Sequence, residues 1–197
     1  TGYDSLLVFD LNRDEFTRGI HLRKGAKGWK SQLFDPLSKD GPEMANNLHL
    51  NNVRCSKKGL FVSGLRTDAL IHMDSDLNAK EYCSLPAGTH NARPFKQGVL
   101  FNDTKSDCVR AVGRDGAETN FKIPTYDETE LTHTNLDDSR IARQGFARGL
   151  CLVDQELIAV GSSPSTINLF NLEEKKKVAS VNLSMDIRNA IHGLEVW

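Results

Sequence analysis

The chain is poor in the features that assign a protein quickly to a chemistry. No apolar run approaches the ~20 residues a membrane helix needs, and no secretory leader is visible, so neither a membrane nor a leader-directed route is indicated. The formal net charge is −1 over 197 residues. That balance gives no electrostatic case for nucleic acid or an anionic membrane as partner. The longest basic run, Lys175-Lys176-Lys177, reads as a solvated hairpin turn. Cysteine is sparse: Cys55, Cys83, Cys108 and Cys151 are scattered, with no C-x-x-C pair. They read as reduced, buried core residues and point to the cytoplasm. A nucleophile elbow, an H-E-x-x-H zinc motif and a phosphate-binding P-loop are all missing, so no standard catalytic template applies. The first residue is Thr1, not Met, which leads us to expect processing, a removed tag or a fragment of a longer parent chain.

What the chain does have is an internal repeat. Residues Asn51–Leu85, His90–Ile123 and Arg148–Leu183 superpose in pattern. Each opens on a short polar-started strand and continues with an apolar run: Gly59-Leu60-Phe61-Val62, Gly98-Val99-Leu100-Phe101 and Glu156-Leu157-Ile158-Ala159-Val160. A third strand follows in each: Ala69-Leu70-Ile71-His72, Cys108-Val109-Arg110-Ala111 and Thr166-Ile167-Asn168-Leu169-Phe170. A period of about 40 residues with four short strands per unit is the signature of a β-propeller blade. The expected fold is therefore all-β, a single propeller domain over residues 1–197 with three full four-stranded blades. Val62, Val99, Phe101, Ile158 and Val160, with Leu60 and Leu157, are its expected core.

The termini extend the repeat. Ser5–Asn12 matches the third strand of a blade and Glu15–Leu22 the fourth, while His192-Gly193-Leu194-Glu195 matches the first strand, as in Arg148-Gly149-Leu150-Cys151. A partial blade shared by the two ends follows, with one strand missing. The chain is then four-bladed, part of a larger propeller, or completed by self-association. Two segments exceed the period, near 23–47 and 125–144, and are expected as loop insertions on the face where the innermost strands begin. Trp29 in the first is expected to anchor its loop.

Aligned inner strands start with Asn51, His90, Arg148 and His192, and their third column reads Val53, Ala92, Leu150 and Leu194. Period-two alternation then predicts a polar collar at the channel mouth above an apolar floor, with His49 adding to the collar. Such a ring either holds channel water or grips a ligand. His90 and His192 are the candidate ligands for a divalent metal, but Arg148 between them opposes a dication and no carboxylate sits in the column. The set suits an anionic small molecule better, a carboxylate, sulfate or phosphate group held by a forked donor and imidazole N–H groups. Arg93, three places on from His90, is a further candidate ligand residue or a brace between blades. The competing classes are a protein–protein interaction scaffold and a His-based, metal-dependent lyase or epimerase. Whether the chain is an enzyme, and whether it needs a cofactor, stay open at this stage.

The runs His90-Asn91-Ala92-Arg93 before Gly98–Thr104, Gly145–Leu150 before Val160-Gly161-Ser162, and the closing His192-Gly193-Leu194-Glu195-Val196-Trp197 resemble bacterial propellers of the NHL and gluconolactonase-like groups and an uncharacterised bacterial propeller family. The resemblance implies bladed architecture. The carboxylate-led metal site of the gluconolactonase-like group is not reproduced at the collar, so lactonase activity is not implied.

Overall fold

A computed structural model describes residues 2–135 and 143–196. It is nearly all-β, with one 3-10 turn at Glu128–Glu130, and its strands form four antiparallel sheets. The chain divides into two compact units, Thr1–Ala87 and Gly88–Trp197.

In the first unit, β1 (Ser5–Asp10), β2 (Glu15–Gly25) and β3 (Gly28–Phe34) form a three-stranded meander. A four-stranded meander follows, made of β4 (Leu50–Ser56), β5 (Gly59–Gly64), β6 (Ala69–Met73) and β7 (Ala79–Ser84). The second unit holds β8 (Thr89–Phe95), β9 (Gly98–Asp103), β10 (Cys108–Val112) and β11 (Glu118–Lys122). Its other sheet is β12 (Gly149–Leu152), β13 (Leu157–Ser162), β14 (Thr166–Asn171) and β15 (Lys176–Asn182). Every strand pairs with its sequence neighbour, which is the up-and-down order of a propeller blade.

One backbone bond identifies equivalent strands across the sheets. The residue entering the third strand accepts, through its carbonyl, the N–H of the residue leaving the fourth. Leu85 donates to Asp68 (2.9 Å), Ile123 to Asp107 (2.9 Å) and Leu183 to Ser165 (2.8 Å). Leu22, within β2, donates to Asp4 at 3.0 Å, so β1 and β2 match the third and fourth strands of the other sheets, as the alignment expects. The turns agree: Asp10, Asp74 and Asn171, at matching positions, each accept the N–H two residues on, at 2.9, 3.0 and 2.9 Å.

Each unit has its own core. Val62, Ala69, Ile71 and Met73 pack with Ile20, Leu22, Leu48 and Leu50 in the first. Leu100, Val109, Phe121 and Ile123 pack with Leu150, Ile158, Val160 and Phe170 in the second. Val99 and Phe101 are also buried, whereas Leu60 and Leu157 are only part-buried.

Several expectations need correction. The segment near 23–47 is not all loop, because β3 lies in it and pairs with β2 from Gly25↔Gly28 to Gly19↔Phe34. Trp29, on β3, is part-buried against the first core, the anchoring role expected of it. Residues 192–196 carry no strand. Instead Gly149 N–H donates to Ile191 O at 2.8 Å, and a side chain at Gly161 would collide with Ile191. The two glycines thus admit the C-terminal segment against β12 and β13 in another conformation. The apolar floor also fails at Val53, which is 48% exposed, while Ala92 and Leu150 are buried. Register shifts between Leu50 and Asn52, and between His90 and Arg93, break the simple alternation. Of the cysteines only Cys151 is buried; Cys83 and Cys108 are intermediate and Cys55 is exposed. All four are free thiols, and burial pushes the Cys83, Cys108 and Cys151 thiols up. No helix among the described residues is long and apolar enough to cross a membrane.

Candidate functional site

In the second unit three of the expected residues come together where β8 and β12 begin. Gly149 opens β12, so Arg148 sits at its threshold, its N–H bonded to Gly161 O at 2.9 Å. Its Nη1 donates to His192 Nε2 at 2.8 Å. A guanidinium only donates, so His192 accepts at Nε2 and carries its proton on Nδ1. Burial lowers the Arg148 pKa, and burial followed by the Arg148 charge lowers that of His192 from its ordinary 6.5. Both shifts share one leading cause: burial disfavours positive charge here.

Asn91, left-handed at φ 50, ties the two residues together. Its Nδ2 donates to Arg148 O and, at 3.1 Å, to His192 O. A short amide side chain tolerates that backbone better than most. His90, beside it, has Nδ1 2.9 Å from Thr104 Oγ1 and 3.3 Å from Gly88 O. Since the Thr104 hydroxyl donates to Ala147 O at 2.7 Å, it accepts from His90 Nδ1–H, which leaves His90 Nε2 as the acceptor nitrogen.

Phe146 is the part the sequence reading missed. Its ring lies between two guanidiniums, Arg143 at 4.5 Å and Arg148 at 4.9 Å. Arg143 is itself held by Asp107 (2.6 Å) and Thr104 O (2.9 Å). Contact with the ring helps to hold the Arg148 guanidinium in position. The signal was the spacing Arg143-x-x-Phe146-x-Arg148, arginines on both sides of one aromatic.

Arg93 takes the bracing role. It is 5% exposed, and Nη2 donates to Leu150 O at 2.6 Å, linking β8 to β12. Asn102 adds a parallel link to Gly149 O at 3.1 Å. His49 and Asn51 belong to the first unit. His49 Nδ1 bonds Asn46 Oδ1 at 3.0 Å and its N–H bonds the Asp4 carboxylate at 3.1 Å, while Asn51 is part-buried at the β4 register shift. As for a metal, no group of three or more His, Cys, Asp or Glu among the described residues is placed to hold one. The Nε2 lone pair of His192 is directed at Arg148 rather than at an open coordination position. Asp137 and Asp138 of the second insertion lie outside the described residues.

No protein-family model matches the sequence, and no curated protein matches it. Among the solved structures similar to it are two at 10% identity. One is a catalytically inactive variant of virginiamycin B lyase from Staphylococcus aureus with quinupristin, covering 91% of this chain and 59% of that one at a TM-score of 0.47. The other is the computationally designed Ika8 protein, covering 97% and 64% at a TM-score of 0.42. The chain spans about three-fifths of the length of these proteins.

Proposed function

We propose that this chain is a ligand-binding β-propeller segment whose anion site is Arg148 and His192, oriented by Asn91 and Phe146. The observation that carries the reading is the 2.8 Å contact between Nη1 and Nε2, with both groups shifted away from their charged forms. A carboxylate, sulfate or phosphate group placed against this pair supplies a negative charge to both. It reverses both shifts, lets His192 take a proton and turns the imidazole from acceptor into second donor.

Calorimetric titration with sugar acids, inorganic phosphate and sulfate tests this. Arg148→Met removes the cation and its fork while keeping an apolar stem on Phe146. The loss of one charge-assisted contact, about 1.5–3 kcal/mol, is a roughly 10- to 150-fold weaker dissociation constant. Unchanged anion affinity in a folded Arg148→Met protein rejects the site, as does absence of anion binding by the parent chain.

A second reading, association between two copies of the chain, is favoured by β1. Its outward residues Leu7, Val8 and Phe9 are 52, 43 and 42% exposed, and among the described residues β1 pairs only with β2. The β6 residues that correspond to Leu7 and Phe9, Ile71 and Met73, are fully buried. An open, apolar strand edge is a template for another strand, and a second β1 related by a two-fold axis provides an antiparallel one.

A further inference from the structure

The first unit contains a cavity of about 650 Å³, within the range of small-molecule sites. It is separate from the Arg148 cluster and built from a segment singled out only for its length. His21 and Arg23 face it from β2, being two apart and on one side of the strand. Arg66 enters from the β5–β6 turn, Asp40 and Glu43 from the 35–47 loop, and buried Leu22 and Leu48 contribute apolar lining.

The C-terminal end of the loop is fixed in place. Ala45 and Asn46 N–H groups bond Gly2 O at 3.0 and 2.9 Å, and Arg66 Nη1 bonds Asn46 O at 2.7 Å. Asn47, Leu48 and His49 N–H groups all bond the buried Asp4 carboxylate. That side of the cavity is therefore preorganised, which lowers the ordering cost of binding.

Its charges are arranged in an unusual way. Arg23 Nη2 bonds Gln32 Oε1 at 3.0 Å and Arg66 bonds a backbone carbonyl, so both recorded partners are neutral. Among the described residues no ion pair within 4.0 Å joins Arg23 or Arg66 to Asp40 or Glu43, although all four line one cavity. Opposite charges line the same space without pairing with each other. A simple anion would satisfy the arginines and meet repulsion from the carboxylates, and a simple cation the reverse.

We propose that this cavity binds a small zwitterion with separated ends, a carboxylate toward Arg23 and Arg66 and an ammonium toward Asp40 and Glu43. The ω-amino acids are the chemical class. The probes are 4-aminobutyrate and 6-aminohexanoate, with butyrate and butylamine as single-charge controls, followed by amide chemical-shift titration. At least one amino acid should saturate about tenfold more tightly than either control, one charge-assisted contact being worth that much. Arg23→Gln should weaken it by about tenfold; this variant leaves the loop bonds of Arg66 intact, so a loss there is not a loss of fold. Glu43→Gln should weaken the amino acid and leave butyrate unchanged or stronger. Arg148→Met should leave all of these values unchanged, which separates this site from the anion site above. Butyrate binding as tightly as the amino acids, no saturable shift with either amino acid, or equal loss in Arg148→Met would each overturn the proposal.

Discussion

Asp4 offers the sharpest test of how the first unit is held. Its side chain is almost fully buried, and its carboxylate accepts N–H groups from Asn47 (2.6 Å), Leu48 (3.1 Å) and His49 (3.1 Å). Replacing it with Ala orphans three donors. The Leu48 group is buried and bears a full desolvation penalty of about 1–3 kcal/mol, while part-buried Asn47 and His49 recover some water and lose about 0.5 kcal/mol each. Asp4 also has φ 49, a conformation costing an ordinary L-residue about 1 kcal/mol more than Asp or Asn. The sum for Asp4→Ala is about 4 kcal/mol. Asp4→Asn keeps the backbone preference and the oxygen serving Leu48 and His49, but sets an amide N–H₂ against Asn47, so about 1.5–2 kcal/mol is expected. Urea unfolding followed by Trp29 fluorescence in a Trp197→Phe background reads the first unit, since Trp29 packs on its core. With a slope of about 2 kcal/mol/M, the Ala variant should unfold about 2 M earlier and the Asn variant about 1 M earlier. Equal costs for Ala and Asn, or an Ala cost below about 1 kcal/mol, would refute the reasoning.

Other outcomes follow from single contacts. Gly98→Ala should destabilise by about 2–3 kcal/mol in calorimetry, because the added methyl meets the Val112 carbonyl across the sheet. His192 has its pKa held below 6.5 in the fold, so the unfolded chain protonates first; stability should be indifferent to His192 above about pH 6.5 and fall as pH drops below it. Arg148→Met removes one cause of that shift and should flatten the fall in a pH series of thermal melts. Anion affinity should rise over the same descent in pH, because the bound anion favours imidazolium. Light scattering should find dimers that Val8→Lys disperses; a monomeric parent chain ends the association reading.

Much of the bladed plan was legible because it rests on period and strand chemistry. The runs at Gly59, Gly98 and Glu156 carry the same apolar block after a turn, and the assignment of Ser5–Asp10 as a third strand is supported by a backbone bond that no composition reveals. β3 was hidden because Lys, Gly and Pro dominate its surroundings. The clue was the alternation Trp29, Ser31, Leu33 after a two-residue turn at Ala26-Lys27. Within the candidate site Arg148 and His192 were legible as aligned polar positions, and their direct contact was not. It depends on Ile191 seating against Gly149 and Gly161, a packing of small residues that reads in the sequence as simple strand glycine. Arg93 was legible as a brace because its spacing places it opposite His90 in a regular strand, although the register shift between the two interrupts that alternation.

The pairing, within each sheet, of every strand after the first with its immediate predecessor bears on how the chain acquires its structure. Each contact that closes a sheet spans one short turn, such as Lys57-Lys58 or Lys96-Gln97, so little loop entropy opposes its formation. Four hairpin stacks can then nucleate separately, each sealed by its own carbonyl clasp between third-strand entry and fourth-strand exit. Errors in one stack need not propagate to the next. Amide exchange in such a molecule is expected to be graded sheet by sheet, with β1, an edge strand whose Leu7, Val8 and Phe9 are 52, 43 and 42% exposed, releasing its protons early.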